Sequence, residues 1–405
     1  MPNGVSAFQA ANPAVGTVAR SQQTTVVPVD PNAPFTRQSR QAQQLGFVLS
    51  GLAFGATISQ QLPAAGGYLR ALSITVTAAG GAGTATVALT ADSPWNVLGG
   101  SIQLKDATGN PIYNVDSFSL YLINLFSGMW GQGGNQNPAG TAVTPKSSYS
   151  APVTGANGSG NFALRLIMPL EFDSSGYCSL SDMNASAQPL FQCVLATAAS
   201  VYSTAPTTAP TLTVQVNMLF WTIPQGNPMA APPDVGSSHQ WTITTGGQNP
   251  TTGASVRVRH PSPGTYISSL ICVLRDATNA RVNAFPATDL TFWLDDFPLK
   301  NSELLTERQD EIARQFSIPL GVDQGTAAGN VKTVGVLVYS FRGAVQDEVS
   351  KADTSDELLP TSPATKLEVG GTWGTITSSP GQLFFLTGWL YPANANRIPW
   401  THLAN

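Results

Sequence analysis

Three histidines are the residues of this chain best suited to proton transfer near neutral pH, and none of them lies in a catalytic motif. His239 borders a proline-rich segment, His260 precedes Pro261, and His402 lies close to the last residue. A hydrolytic triad needs a base that is oriented beside a nucleophile, and no GxSxG sequence accompanies these histidines. We therefore expect them on surface loops rather than in an active site.

Two groups of acidic residues could in principle do chemistry. Paired carboxylates act as acid and base in glycosidases, but Arg308 and Arg314 lie among the acids of the first group, which favours a solvated helix face or an ion pair between subunits. The second group lacks the spacing of an EF-hand calcium loop, so a solvated loop is favoured. The groups are Asp295, Asp296, Glu303, Glu307, Asp310 and Glu311, and Asp353, Asp356 and Glu357.

No cofactor or metal motif is visible. The three cysteines, Cys178, Cys193 and Cys272, show no CxxC spacing and are expected to be reduced, partly buried thiols. No phosphate-binding or dinucleotide-binding glycine motif occurs. Tryptophans could stack on sugars, but Trp221, Trp293 and Trp389 lie in strand patterns, where core packing is the commoner role. The sequence therefore predicts a protein that is not an enzyme, with no metal site and no cofactor.

Composition indicates an all-β chain with a weakly charged surface. Only 10% of the 405 residues are charged, against about 25% in typical soluble proteins. The 38 glycines and 30 prolines suit short strands joined by many turns. A net charge of −4 argues against specific nucleic-acid binding, which needs a basic stripe. The start of the sequence shows no signal peptide, and the reduced state expected for the cysteines predicts folding in a cytoplasm.

Alternation of apolar and polar residues places the strands. The clearest case runs from Leu212 to Phe220, where every second residue is apolar, as expected for a half-buried antiparallel strand. Further strands of the first half are predicted around 67–77, 102–104, 162–172 and 190–196. In the second half they are predicted around 256–259, 264–272, 292–296 and 383–392.

One amphipathic helix interrupts each half. The first is predicted over residues 117–127, with Asp116 or Ser117 as its cap, and the second over residues 302–316, with Ser302 as its cap and Glu303 in the first turn. We expect apolar side chains of each helix to cover the neighbouring barrel. These are Phe118, Tyr121, Leu122 and Leu125 in the first helix, and Leu305, Ile312 and Phe316 in the second.

The order of elements repeats, which predicts two domains. Residues 224–238 contain four prolines and one charge, a composition typical of linkers. On either side the order is strands, helix, strands and a last aromatic strand. Eight-stranded jelly rolls have this size and organisation. The sequence thus predicts tandem jelly-roll β-sandwiches over 46–223 and 239–405, each with a short helix insertion.

Residues 1–45 are predicted to be an arm outside the folded core. The segment from Phe35 to Leu45 would allow a short helix. The arm is mildly basic, because it contains three arginines, Arg20, Arg37 and Arg40, and one acidic residue, Asp30. Such an arm could contact anionic lipid headgroups or order against a neighbouring copy.

This organisation resembles the major capsid proteins of tectivirus-like phages, which are tailless icosahedral double-stranded DNA viruses of the lineage that includes adenovirus-like hexons. The residues concerned are Asp92 to Leu104, Asn110 to Asn124, Met168 to Phe172 and Ala364 to Val369. The resemblance implies homotrimers whose six upright barrels form a pseudo-hexagonal capsomer of a virion shell. It also implies neighbouring capsomers, penton and minor capsid proteins as partners, and an arm that faces an internal membrane. Loops 131–160 and 341–364 are then candidates for the exterior.

Three other interpretations fit part of the sequence. A carbohydrate-binding β-sandwich adhesin or virion fibre module would share the low charge and the turn-rich composition. A two-domain capsid protein of a small RNA virus would be expected to carry a strongly basic arm. A β-sandwich glycosidase is the enzyme alternative.

Overall fold

A computed structural model describes residues 34–392, except 65, 85, 127–152, 174, 183–187, 225–230, 234, 262, 317, 324–330 and 342–357. In the first half the helices are α1 (Phe35–Gln38), α2 (Ser117–Phe126) and α3 (Ala198–Val201). The strands there are β1 (Gln41–Leu52), β2 (Thr57–Gln61), β3 (Gly67–Ala79), β4 (Ala88–Leu89), β5 (Ile102–Lys105), β6 (Pro111–Val115), β7 (Phe162–Pro169), β8 (Leu180–Ser181), β9 (Leu190–Val194), β10 (Tyr202–Thr204) and β11 (Thr211–Thr222).

The second half contains helix α4 (Leu305–Phe316). Its strands are β12 (Ser238–Thr245), β13 (Ser255–Arg259), β14 (Tyr266–Arg275), β15 (Leu290–Leu294), β16 (Phe297–Glu303), β17 (Val336–Ser340), β18 (Leu359–Pro360), β19 (Leu367–Thr372) and β20 (Gln382–Tyr391).

Each half is an eight-stranded jelly roll, as the sequence predicts. In barrel one the strand order β1-β11-β3-β7 forms one sheet and β6-β5-β9-β2 the other. In barrel two the corresponding orders are β12-β20-β14-β17 and β16-β15-β19-β13. The two barrels therefore connect their strands in the same order, and in each the helix follows the fifth strand of the roll. The predicted all-β tandem fold is confirmed.

One sheet runs through both barrels. β6 pairs with β12 in parallel, with Tyr113 opposite Trp241 and Asn114 opposite Thr242. Because these strands are parallel, the two barrels stand side by side and point the same way. Gln41 pairs with Trp221, and Ser238 with Tyr391, at one end of the barrels, which we name the arm end. The opposite end is the far end.

The burial of the strands follows from this arrangement. β11 buries every second residue from Leu212 to Phe220, so the predicted half-buried strand is confirmed. β14 is buried on both faces, because Leu270 and Cys272 face the core of barrel two whereas Ile271 and Val273 face barrel one and the helices. Continuous apolar strands of this kind are expected where a sheet is covered on both sides.

Two predicted boundaries are wrong. Residues Gln41–Leu45 belong to β1, where pairing with β11 outweighs their helix propensity, so the arm ends before residue 41 and the helix there spans only Phe35–Gln38. The second helix begins at Leu305 rather than at Ser302. Ser302 and Glu303 lie in β16, where the Ser302 N–H donates to the Thr291 hydroxyl at 3.0 Å.

The predicted burial of the cysteines is confirmed, because Cys178, Cys193 and Cys272 are all buried, and none of the three forms a disulfide. Within the described residues, no helix is both long and apolar enough to cross a membrane.

Candidate functional site: the joint between the barrels

The histidines that could have done acid–base chemistry are buried core residues. The prediction of surface loops is wrong for His239 and His260, which are 1% and 0% exposed. The His260 ring contacts Phe385 and Trp389, and its Nε2 lies 3.0 Å from the Thr387 hydroxyl. Burial lowers the pKa of His260 to about 4, so its imidazole is neutral near pH 7. His402 lies outside the described residues.

The acidic residues of the second half do not gather into a site. Among the described residues, no cluster of three or more His, Cys, Asp or Glu side chains could hold a metal ion. Asp295 and Asp296 form the turn between β15 and β16. Arg308 is not on a solvated face as predicted: it is buried and donates to the Val338 carbonyl at 2.8 Å. It thereby caps the edge of β17. Asp353, Asp356 and Glu357 lie outside the described residues.

The three tryptophans singled out in the sequence, all within the described residues, offer no open sugar platform. Trp221 and Trp389 are buried, as core packing predicts. Trp293 is not a core residue, because it is only partly buried on the outer face of barrel two. The Arg257 guanidinium lies over its ring at 4.2 Å and covers that face.

Helix α2 is buried on every side, because it lies between the two barrels. The Asp116 carboxylate caps it by accepting from the Ser119 N–H at 2.6 Å, as the sequence predicts. The Asn124 Oδ1 accepts a hydrogen bond from the Ile167 N–H of β7 at 2.8 Å. All four predicted packing residues are buried, at 0–6% exposure: Phe118, Tyr121, Leu122 and Leu125. A helix that is apolar all round is expected only where protein surrounds it.

Helix α4 meets α2 across the joint. Ile312 is fully buried, and it belongs to the same apolar cluster as α2 and the outward face of the β14 sheet. The Phe316 ring packs against Phe126 of α2, with the ring centroids 5.5 Å apart. Leu305 is buried in the core of barrel two instead. The predicted residues of α4 therefore fall on two sides of the sheet rather than on one covering face.

A network of charged side chains locks the barrels together at the far end. Asp92 of barrel one accepts from Arg281 at 2.6 Å and from Arg275 at 2.7 Å. Arg281 also reaches Asp323 at 2.9 Å, and its guanidinium lies over the Phe118 ring at 4.7 Å. The Arg281 side chain is 1% exposed. Burial alone would raise the pKa of Asp92, but the two guanidiniums hold it below its ordinary value.

This network is the largest feature that sequence reasoning missed. Asp92, Arg275, Arg281 and Asp323 are far apart along the chain, and no motif connects them. The one signal in the sequence is the small number of charged residues, 10% of the chain. Charged side chains are seldom buried without partners, so those that this chain buries are expected to form ion pairs.

A cleft of about 580 Å³ opens beside the network. Asp92, Asp116, Arg275, Asn96 and Asn279 line it. Burial raises the pKa of Asp116. Asp92 and Asp116 are already engaged, in the ion pairs and in the α2 cap, so these groups hold the barrels and the helix in place rather than present a nucleophile or base.

The barrels also touch at the arm end. The ring of Phe172, from barrel one, packs edge-on against His239 of barrel two at 5.3 Å. Contacts at both ends, with the shared sheet between them, fix the relative position of the barrels. The joint therefore has a structural role, which is to hold the two barrels in one arrangement.

The arm is anchored by an aromatic residue that the sequence analysis did not single out. Phe35 is 6% exposed and packs edge-on against Tyr68 and Trp221, with ring centroids at 5.4 and 5.9 Å. The guanidinium of Arg70, which pairs with the buried Glu171, lies over the Trp221 ring at 4.5 Å. Of the predicted arm cations, Arg37 and Arg40 are exposed at the arm end, and Arg20 lies outside the described residues.

The described residues that follow the two long loops lie at opposite ends of the barrels. Residues 153–161 lead into β7 at the far end, where Phe162 pairs with Ala78. Residues 358–366 lie at the arm end, where Tyr266 pairs with Pro360. Most of loops 131–160 and 341–364 lies outside the described residues, but their described flanks cannot share one end.

No family model and no curated protein matches the sequence. Solved structures do match. The major capsid protein of Sulfolobus turreted icosahedral virus is 13% identical, with 89% of this chain and 99% of that one covered and a TM-score of 0.57. The VP54 protein of PBCV-1 is 12% identical, with coverage of 87% and 93% and a TM-score of 0.56. The Faustovirus major capsid protein is 9% identical, with coverage of 91% and 92% and a TM-score of 0.50.

Proposed function

We propose that this chain, which has the double jelly-roll fold of viral major capsid proteins, is itself the major capsid protein of an icosahedral virion. One observation carries the proposal: the likeness in fold covers 89% of this chain and 99% of the first protein named above, so it extends over both barrels. A rigid pair of parallel barrels is a building block for a shell. The chain would act in the virion shell after assembly in the host cytoplasm, and the tectivirus-like phage branch stays a prediction.

The proposed building block is a homotrimer, in which six upright barrels make a pseudo-hexagonal capsomer. Sedimentation equilibrium of the purified protein at micromolar concentration is expected to give about three times 42.3 kDa, because weakly charged barrel flanks favour lateral association in a closed ring. A mass of 42.3 kDa across that range would contradict the capsomer.

The arm end is proposed to face the virion interior. Loop 131–160 would then project outward, because its described flank lies at the far end. The expectation that loop 341–364 is also exterior conflicts with an inward arm, because residues 358–366 lie at the arm end. We therefore assign only loop 131–160 to the outside.

The proposed partners are neighbouring capsomers, with penton and minor capsid proteins at special positions of the shell. Arg20, Arg37 and Arg40 would bring the arm to an internal lipid membrane, at about 1 kcal/mol per basic residue near anionic headgroups. No specific nucleic-acid binding is proposed for a chain of net charge −4.

Truncation separates the arm from its anchor. Deleting residues 1–33 is expected to leave the melting temperature of the trimer unchanged and to abolish closed particles or make their assembly salt-sensitive. Deleting residues 1–40, or making Phe35→Ala, is expected to lower the free energy of unfolding by about 2–3 kcal/mol as well. The reason is that the Phe35 ring no longer fills its site between Tyr68 and Trp221.

Calorimetry of the three variants and electron microscopy of assembly mixtures provide the measurements. Arg37→Gln with Arg40→Gln is the milder control and should retain the wild-type melting temperature. Normal particles from the chain that lacks residues 1–33 would show that the arm is dispensable.

A further inference from the structure

The strands that join the two barrels of one chain have counterparts that are still free. The joint pairs β6 of barrel one with β12 of barrel two. The equivalent of β6 in barrel two is β16, and the equivalent of β12 in barrel one is β1, because each pair has the same place in its roll. Among the described strands, β16 and β1 each end a sheet and have no neighbour on their outer side.

The registers of the two barrels show which residues correspond. In barrel two, His239 and Trp241 of β12 point away from the barrel core, opposite Leu390 and Gly388. In barrel one, Gln41 and Gln43 of β1 point away from the core, opposite Trp221 and Leu219. Gln43 therefore matches Trp241, because each is the second outward-facing residue of its strand.

The same comparison matches β6 and β16, the fifth strands of the two rolls. Leu104 of β5 lies opposite Tyr113, and Leu294 of β15 lies opposite Phe297. Phe297 is therefore the counterpart of Tyr113, the residue that meets Trp241 in the joint.

The exposure of these counterparts differs sharply. Tyr113 is 0% exposed, whereas Phe297 is 67% exposed, the largest value among the exposed large apolar residues of the described chain. Leu45 and Val48 on β1 are also about half exposed, and β1 contains no charged residue. Single exposed apolar residues are common on protein surfaces. These three, however, lie on β16 and β1, the two edge strands equivalent to the pair that forms the joint.

The helices show the same contrast. α2 is buried all round because barrel two lies against it, whereas α4 buries only Leu305, Arg308 and Ile312. The remaining side of α4, with Glu307 and Asp310, is open on the flank that a following barrel would occupy.

We propose that β16 of one copy docks beside β1 of a second copy, with Phe297 buried near Gln43, as Tyr113 meets Trp241 within the chain. The inference rests on the proposed function and names the contact surfaces of its trimer. The contact joins two different surfaces, so its repetition generates a ring wherever the rotation closes. In a trimer, three such contacts would alternate with the three joints inside the chains.

Disulfide trapping tests the contact. Paired Cα atoms of adjacent strands lie within the range of about 4.4–6.8 Å that a disulfide needs. Oxidised full-length protein that carries both Gln43→Cys and Phe297→Cys is expected to run as covalent dimers and trimers on a denaturing gel. Each single variant, and the control pair Thr57→Cys with Phe297→Cys, should remain uncrosslinked. The native cysteines are buried and provide a silent background.

A charge substitution gives an independent measurement. Phe297→Asp is expected to convert trimers to monomers with an unchanged melting transition of the subunit, because Phe297 makes little contact within its own chain. Val153→Asp, at a residue that is 49% exposed and away from both edges, should remain trimeric.

The outcomes separate the two proposals. Trimers that do not crosslink and that survive Phe297→Asp would overturn this contact and leave the proposed function intact. Crosslinking of the Phe297→Cys single variant would indicate a two-fold contact and also overturn it. A wild-type chain that stays monomeric would contradict both.

Discussion

Replacing Arg281 by methionine is expected to lower the free energy of unfolding by about 3–5 kcal/mol, which is the cost of breaking a buried ion pair by removing one partner. Arg281 is the centre of the network at the joint: it pairs with Asp92 of barrel one and Asp323 of barrel two. Methionine fills part of the space above the Phe118 ring but leaves both carboxylates with less compensation. We expect the barrels to lose their fixed relation before either barrel unfolds.

Chemical denaturation followed by tryptophan fluorescence measures this loss, and limited proteolysis near the linker reports loosening of the joint. The matched control is Arg314→Met, because Arg314 pairs with Asp310 on the exposed side of α4. Exposed pairs contribute about 0–1 kcal/mol, so this variant should resemble the wild type. Equal effects of the two substitutions would contradict the role assigned to Arg281.

Truncating the apolar layer of the joint is expected to have an effect of similar size. Leu122→Ala and Ile312→Ala each remove a side chain that is 0% exposed, and such cavities cost about 2–5 kcal/mol. Since both residues belong to one cluster shared by the barrels, we expect lower melting temperatures and a lower yield of soluble trimer.

Differential scanning calorimetry gives the melting temperatures, and gel filtration gives the yield. Val235→Ala, at a residue that is 52% exposed, is the control and should change neither. Unchanged melting of both Leu122→Ala and Ile312→Ala would show that the helices do not pack as described.

The tandem fold could be predicted because its signals are local. Alternation in the segment from Leu212 to Phe220 defines a half-buried strand without any knowledge of its neighbours. The cap at Asp116 and the apolar spacing that begins at Phe118 likewise define α2 from a few adjacent residues. Repetition of this order then indicates two similar units.

The joint could not be predicted, because its signals are spread over both halves. Nothing near Asp92 indicates that Arg275 and Arg281 will surround it, since these residues meet only after both barrels have formed. The same holds for His260, which follows a strand and looks like a loop residue until Phe385 and Trp389 enclose it. Boundaries failed at Gln41 and Ser302 because strand pairing outweighed local helix propensity.

Exposure is also invisible in the sequence. Tyr113 and Phe297 occupy equivalent places in their rolls, but only one has a neighbouring barrel within the chain. The sequence shows two aromatic residues in two strands, whereas the structure shows one closed joint and one open edge.

Electron microscopy of the purified protein tests the central claim most directly. If the chain is a double jelly-roll capsid subunit, class averages of negatively stained particles viewed along the barrels should show six lobes arranged around a three-fold axis, with three chains in each particle. Isolated two-lobed particles at micromolar concentration, in the presence of an intact joint, would contradict it.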